Sequence, residues 1–141
     1  MRILGLDVGS KTIGVAVSDP MGWTAQGVAT LARKNEVADF EALAKWVREY
    51  EVKTLVIGLP LHLNGSEGTQ AQAVRQFSQK LAAHLGGGIP IILLDERLST
   101  VGAERSLLEA DLSRSRRRQV IDKMAAVFIL QGYLDSQPST S

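Results

Sequence analysis

Arg2-Ile3-Leu4-Gly5-Leu6-Asp7-Val8-Gly9-Ser10-Lys11-Thr12-Ile13-Gly14-Val15-Ala16-Val17 opens the chain with two apolar runs parted by a Gly-Ser-Lys turn. Ile3, Leu4, Leu6 and Val8 mark the first run as a buried strand. Ile13, Val15 and Val17 alternate with smaller residues, so the second run is a strand returning antiparallel to the first across Gly9-Ser10-Lys11. Asp7 thereby stands at the carboxyl end of a buried strand, beside glycines that let backbone or phosphate come close. An acid in that place either caps the turn through its side-chain oxygen or does chemistry, and this segment alone does not choose.

Outward from it, Trp23 to Leu31 reads as a third strand. The period then changes: Val37, Phe40, Leu43, Ala44 and Val47 follow helical spacing, with Asn35 placed to cap the start. Lys53 to Leu59 is a β-branched apolar run ending at Gly58-Leu59-Pro60, a buried fourth strand followed by a glycine-punctuated loop. Val74, Phe77, Leu81 and Leu85 mark a second amphipathic helix that Gly86-Gly87-Gly88 stops. Ile89 to Leu94 is a fifth strand, Thr100 to Leu112 a shorter helix, and Val120 to Leu134 an apolar-rich final helix. A meander of three strands followed by crossover units makes a mixed five-stranded sheet flanked by helices, an α/β fold. Ribonuclease H-like folds share that order with some unrelated α/β domains.

With 141 residues there is room for one domain, expected over 1–135, and a polar tail over 136–141 expected to be flexible. Apolar residues at 45% and charged ones at 22% fit a chain that folds by itself. Cysteine is absent, which removes thiolate chemistry and any disulfide framework. No stretch resembles a signal peptide or reaches membrane-spanning length, so a cytoplasmic location without membrane contact is expected.

Three acids are candidates for catalysis and for metal ligation. Asp7 is the first. Asp95-Glu96-Arg97-Leu98-Ser99-Thr100 follows the fifth strand and brings two acids to the sheet's carboxyl edge, where ligands of open α/β sheets gather; a strand end salt-bridged through Arg97 is the plainer reading. Asp122 lies in Val120-Ile121-Asp122-Lys123-Met124-Ala125-Ala126-Val127-Phe128, a largely apolar helix. Ala125 and Ala126 would let that helix press on the sheet and aim Asp122 at the strand ends, unless the acid merely favours a helix's first turn. Converging carboxylates repel one another unless a hard cation joins them. Oxygen donors suit Mg²⁺ or Mn²⁺, and the only alternatives are His62 and His84. Two such ions roughly 4 Å apart can drive phosphodiester displacement by water without a protein nucleophile.

The net charge is only +1, yet Arg114, Arg116, Arg117 and Arg118 carry a quarter of the 16 Lys and Arg within five residues. Set just before the Asp122 helix, and with Lys11 and Arg97 near the acids, they form an expected nucleic-acid track whose affinity falls with salt; a solvated basic loop is the alternative. Aromatic residues amount to 5%, which argues against an aromatic base-stacking platform. Gly58 to Gly65 with Gly68 could shape a phosphate-facing loop, with Asn64-Gly65 as an ordinary turn the alternative, and His62 could shuttle a proton, with a plain surface histidine the alternative.

Taken together, Asp7-x-Gly9-x-Lys11-x-Ile13-Gly14-Val15-Ala16, Gly58-Leu59-Pro60-Leu61 with Asn64-Gly65, Asp95-Glu96-Arg97-Leu98-Ser99-Thr100 and Ile121-Asp122-x-x-Ala125-Ala126 resemble, in order, the motifs of the YqgF family, also called RuvX. The resemblance runs from about residue 2 to 134. It is a family described both as candidate Holliday junction resolvases and as nucleases that mature the precursor of 16S ribosomal RNA. The resemblance implies a ribonuclease H-like fold, a bacterial cytoplasmic protein, and catalytic acids at Asp7, Glu96 and Asp122. In the wider ribonuclease H pattern the second acid usually ends the fourth strand, where this chain has Gly58-Leu59-Pro60. Glu96 must therefore reach inward from the fifth strand, with Asp95 as its alternative.

The leading expectation is a metal-dependent endonuclease acting on structured RNA, in ribosomal RNA precursor processing and with ribosomal precursor particles as potential partners. Cleavage of four-way DNA junctions is its sibling, and either a monomer or a homodimer is compatible. Two other classes compete. A kinase-like ATP site resembles Asp-x-Gly-x-Lys but needs a second lobe, and a non-catalytic ribosome-assembly factor would keep the fold and cut nothing.

Overall fold

The computed structural model of the chain describes residues 2–98 and 114–137. The described residues form five strands: β1 Arg2–Val8, β2 Thr12–Ser18, β3 Ala25–Ala32, β4 Val52–Leu59 and β5 Ile91–Asp95. Among the described residues three helices accompany them: α1 Glu36–Glu49, α2 Thr69–His84 and α3 Arg114–Ser136, with a 3-10 turn at Glu96–Leu98. They form one sheet in the order β3-β2-β1-β4-β5. β1, β2 and β3 are antiparallel neighbours, while β1, β4 and β5 run parallel, so the expected mixed sheet is what forms. No helix among the described residues is long and apolar enough to cross a membrane.

Local signals explain most boundaries. The Asn35 side chain accepts the Ala38 amide at 2.9 Å, capping α1. Gly86 and Gly87 take φ of +83° and +76°, a conformation that ends α2 at little cost in glycine. Four boundaries differ from expectation by two residues or more. β5 starts at Ile91, not Ile89, just after Pro90, a residue with no amide N–H to give the sheet. β3 starts at Ala25, not Trp23, because Asp19 accepts the amides of Trp23 and Thr24 at 2.7 Å each and bends the chain into a loop that leaves Trp23 exposed. The final helix starts at Arg114, not Val120, so the arginine run opens that helix instead of preceding it as a loop. At the other end α3 continues to Ser136, taking in the first residue of the expected tail. The helix expected over 100–112 and the tail beyond 137 lie outside the described residues.

The two faces of the sheet are built differently. Leu4, Leu6, Ile13, Val15, Leu55 and Ile57 point to one side and bury under Phe40, Leu43, Val74 and Leu81 of α1 and α2. On the other side the sheet presents small residues, and α3 lies directly on them. A Cβ at Gly5 would fall 2.7 Å from Leu130 Cβ, and one at Gly14 only 1.9 Å from the Asp122 carbonyl oxygen. Ala16 packs with Ala126 and Leu130, and Val56 with Ala125 and Ile129. Close packing of this kind tolerates no added methyl group without movement of the helix backbone.

Gly14→Ala should therefore destabilise the protein by about 3 kcal/mol, the upper range for overpacking a filled core. Gly88→Ala, at a site where an added Cβ meets nothing within 4 Å, should be close to neutral. Urea unfolding of the two variants beside the parent checks both.

Candidate active site

Alternation along each strand decides which side chains share the α3 face. Leu4, Leu6 and Val8 belong to the core under α1 and α2, so Ile3, Gly5 and Asp7 face α3. Asp7 pairs directly with Gly14 of β2. β1 also runs beside β4 with Leu6 opposite Ile57, so the next residues in that register are Asp7 and Gly58. Asp7, half-buried, is thus flanked on both sides by glycines, each about one strand spacing of 4.8 Å away.

Those two glycines receive the other acids. The α3 backbone at Asp122 rests over Gly14, and the Asp122 carboxylate accepts the Thr12 hydroxyl at 2.5 Å. Gly58 lies under Glu96: a Cβ there would stand 2.6 Å from Glu96 Oε1 and 3.2 Å from its Cγ. Glu96 comes from the turn after β5, yet its carboxylate sits above β4, in the space that the missing side chain leaves. Asp7 thus stands on the strand between the two glycines over which Asp122 and Glu96 lie, on the same sheet face. Among the described residues, no group of three His, Cys, Asp or Glu side chains is arranged to hold a metal ion.

Asp95 goes the other way. Ile91 and Leu93 join the α1/α2 core while Ile92 and Leu94 join the α3 side, so alternation turns Asp95 from the face that Glu96 occupies. Its carboxylate meets Arg97 at 2.6 Å, and this hydrogen-bonded guanidinium holds it below the usual carboxylate range and Arg97 above its own. Arg97 also donates to the Leu63 carbonyl at 3.2 Å, bracing the loop after β4. The salt-bridged strand end is thus present, but it involves Asp95 and leaves Glu96 to the α3 face.

Lys11 is exposed at the hairpin tip. His62 lies in the loop after β4, with its imidazole against Gly68. Within that loop Gly65 takes φ of +87°, and Asn64 accepts the Ser66 amide at 3.0 Å, which is the ordinary turn. Arg114, Arg116, Arg117 and Arg118 occupy the start of α3, and their side chains lie outside the described residues. Sequence reasoning missed Thr12, the partner of Asp122, and the shaping roles of Gly14 and Gly58. Thr12 carried a weak signal, being one hairpin step from Asp7 on the same face.

A family model described as RuvX, Holliday junction resolvase, matches residues 1–136. The chain belongs to the RuvX family. Among the relatives of this RuvX chain, a Moorella thermoacetica protein named a candidate pre-16S rRNA nuclease is 63% identical over 135 residues, spanning 96% of this chain and 95% of the relative. A Clostridium botulinum protein of the same name is 54% identical over 136 residues, spanning 96% and 98%. Solved structures add the fold. Thermus thermophilus RuvC, in complex with a Holliday junction substrate, aligns over 96% of this chain and 95% of its own at a TM-score of 0.58 and 12% identity. The fowlpox virus Holliday junction resolvase aligns over 97% and 100%, at 0.56 and 14%. The RuvX chain has the ribonuclease H-like fold of these resolvases.

A Cβ at Gly58 would meet Glu96 Oε1 and the end methyl of the buried Ile129, side-chain tips and not backbone, so Gly58→Ala should fold at some cost in stability and push Glu96 off its place. Nucleic-acid cleavage, measured well below the melting temperature of the variant, should drop by about 10–100-fold, the range typical of disturbed metal-site surroundings. Comparing turnover with the melting curve separates the two effects.

Proposed function

We propose that this RuvX chain is a divalent-cation-dependent endonuclease that acts on precursor 16S ribosomal RNA in its 5'-end maturation. Asp7 is the centre of the reading: it stands between two glycines, and those glycines lie beneath Asp122 and Glu96. The relatives' pre-16S rRNA nuclease name supports the substrate.

The donor set fits a hard cation, since all three groups are carboxylates and Gly58 leaves Glu96 room to approach Asp7. Asp7, Glu96 and Asp122 would hold Mg²⁺ or Mn²⁺, which when bound supplies an activated water and neutralises charge on the departing oxygen. Thr12 fixes the Asp122 carboxylate by donating its hydroxyl proton, which holds one oxygen and leaves the other for coordination. The tight seat of α3 on Gly14 fixes the backbone from which that carboxylate projects. Arg114 to Arg118 open the same helix, with Arg118 about 6 Å of helix rise before Asp122. Cations there oppose the helix dipole, a cost that bound phosphate offsets. Lys11 at the hairpin tip adds a further contact for the backbone of a structured RNA.

The family's resolvase description supports a second reading, cleavage of four-way DNA junctions in the cytoplasm by a symmetric homodimer making paired cuts. Both substrates are therefore assayed with sedimentation alongside.

Asp7→Asn and Asp122→Asn should each lower Mn²⁺-dependent cleavage of a precursor 16S 5' fragment by more than about 100-fold while RNA binding persists. Thr12→Val, which removes only an outer partner, should cost about 10-fold. Cleavage that survives both acid substitutions overturns the site. Binding without cleavage by the parent chain in any divalent cation would leave a ribosome-assembly factor, and preference for the junction would move the substrate to DNA.

A further inference from the structure

On the other side of β1 from Asp122, a cleft of about 580 Å³ separates the first hairpin from α2. Gly9 and Ser10 form one wall, and Thr69, Gln70, Ala73 and Phe77 of α2 the other, with Arg33 at the rear. That volume is in the range of small-molecule sites. The acidic centre does not use it, although Gly9 is two residues from Asp7.

Arg33 is the built feature of the cleft. Its Nη1 donates to the Gly9 carbonyl at 2.7 Å, its Nε faces the buried Asp39 carboxylate at 3.5 Å, and its guanidinium carbon stands 5.4 Å from the Phe77 ring centre. Three elements thus hold one planar cation in place. A guanidinium has five N–H groups; among the described residues the remaining ones meet no protein acceptor. They suit the bidentate oxygens of a phosphate. Lys80 stands at the mouth in an exposed bridge to Glu36, a screened pair that exchanges readily for another anion. Ala73, Val74 and Phe77 give an apolar wall, while Gln70 and Gln76 offer amides that can bond the edge of a base.

We propose that this cleft is a subsite for one nucleotide of the substrate strand, with its phosphate on Arg33 and its base against the α2 wall. The assignment rests on the nuclease reading above. It puts a holding point on the far side of the Asp7 strand from α3, so a strand crossing the sheet edge is gripped on both sides of the acidic centre.

Adenosine 5'-monophosphate, ribose 5-phosphate and inorganic phosphate, titrated into the full chain and followed by amide NMR, test the subsite without any cleavage. The first should perturb Gly9, Ser10 and Gln70 and bind more tightly than the other two. Arg33→Ala should abolish that binding, but it also strips the buried Asp39 of its ion-pair partner, leaving only the Lys34 amide among the described residues. Ala73→Phe therefore serves as the second variant: it fills the cleft from an exposed helix position and leaves Arg33 intact. It should weaken nucleotide binding by at least about tenfold and raise KM for RNA cleavage about as much, with kcat unchanged, as loss of uniform binding requires. Nucleotide binding unaffected by Ala73→Phe, no binding by the parent, or phosphate binding as tightly as the nucleotide each overturns the subsite. If only the subsite fails, cleavage by the parent continues; if only the nuclease reading fails, nucleotide binding persists without cleavage.

Discussion

The seat of α3 on Gly14 sets the rest of the structure. With the Asp122 carbonyl oxygen 1.9 Å from where a Cβ would be, the helix backbone is in direct contact with the sheet backbone. No long side chain intervenes at that point, so the position of Asp122 is fixed by main-chain contact and not by a flexible linker of methylene groups. Asp7 is the residue paired with Gly14, and the same contact therefore seats the Asp122 backbone over the strand position beside Asp7.

Gly58 does for Glu96 what Gly14 does for Asp122. An acid on the turn after β5 is a strand away from β1, and only an empty position on β4 lets it cross. The parity of the pleat then distinguishes two adjacent acids that look equivalent in sequence. Asp95 continues the side of Leu93 and is taken by Arg97, while Glu96 continues the side of Leu94 and reaches the α3 face. The two sheet faces carry separate duties: branched side chains under α1 and α2 supply burial, and small residues under α3 supply close approach.

Much of this was legible in the sequence. The strand–turn–strand at residues 2–17, the change to helical period after Asn35 and the glycine stop after Leu85 are local signals, and each appears where expected. Ala125 and Ala126 also announced a helix pressed to the sheet. Boundaries failed where side chains overrode pattern: Asp19 drew Trp23 out of an otherwise apolar run, and helix propensity carried α3 upstream through the arginines to Arg114. The Thr12–Asp122 bond joins residues 110 positions apart, and the glycine seats are defined by what presses on them. Neither is visible until the chain is folded. The choice between Asp95 and Glu96 needed only the register of β5, which one residue of error in a strand end is enough to reverse.

Whether the three carboxylates share divalent ions is read most directly from anomalous scattering by a crystal of the intact chain soaked in Mn²⁺. Manganese peaks should lie between Asp7 and Asp122 and within coordinating distance of Glu96, with Asp95 still held by Arg97. Manganese bound only elsewhere, or Glu96 turned away from a metal held by Asp95, would contradict the assignment of the centre.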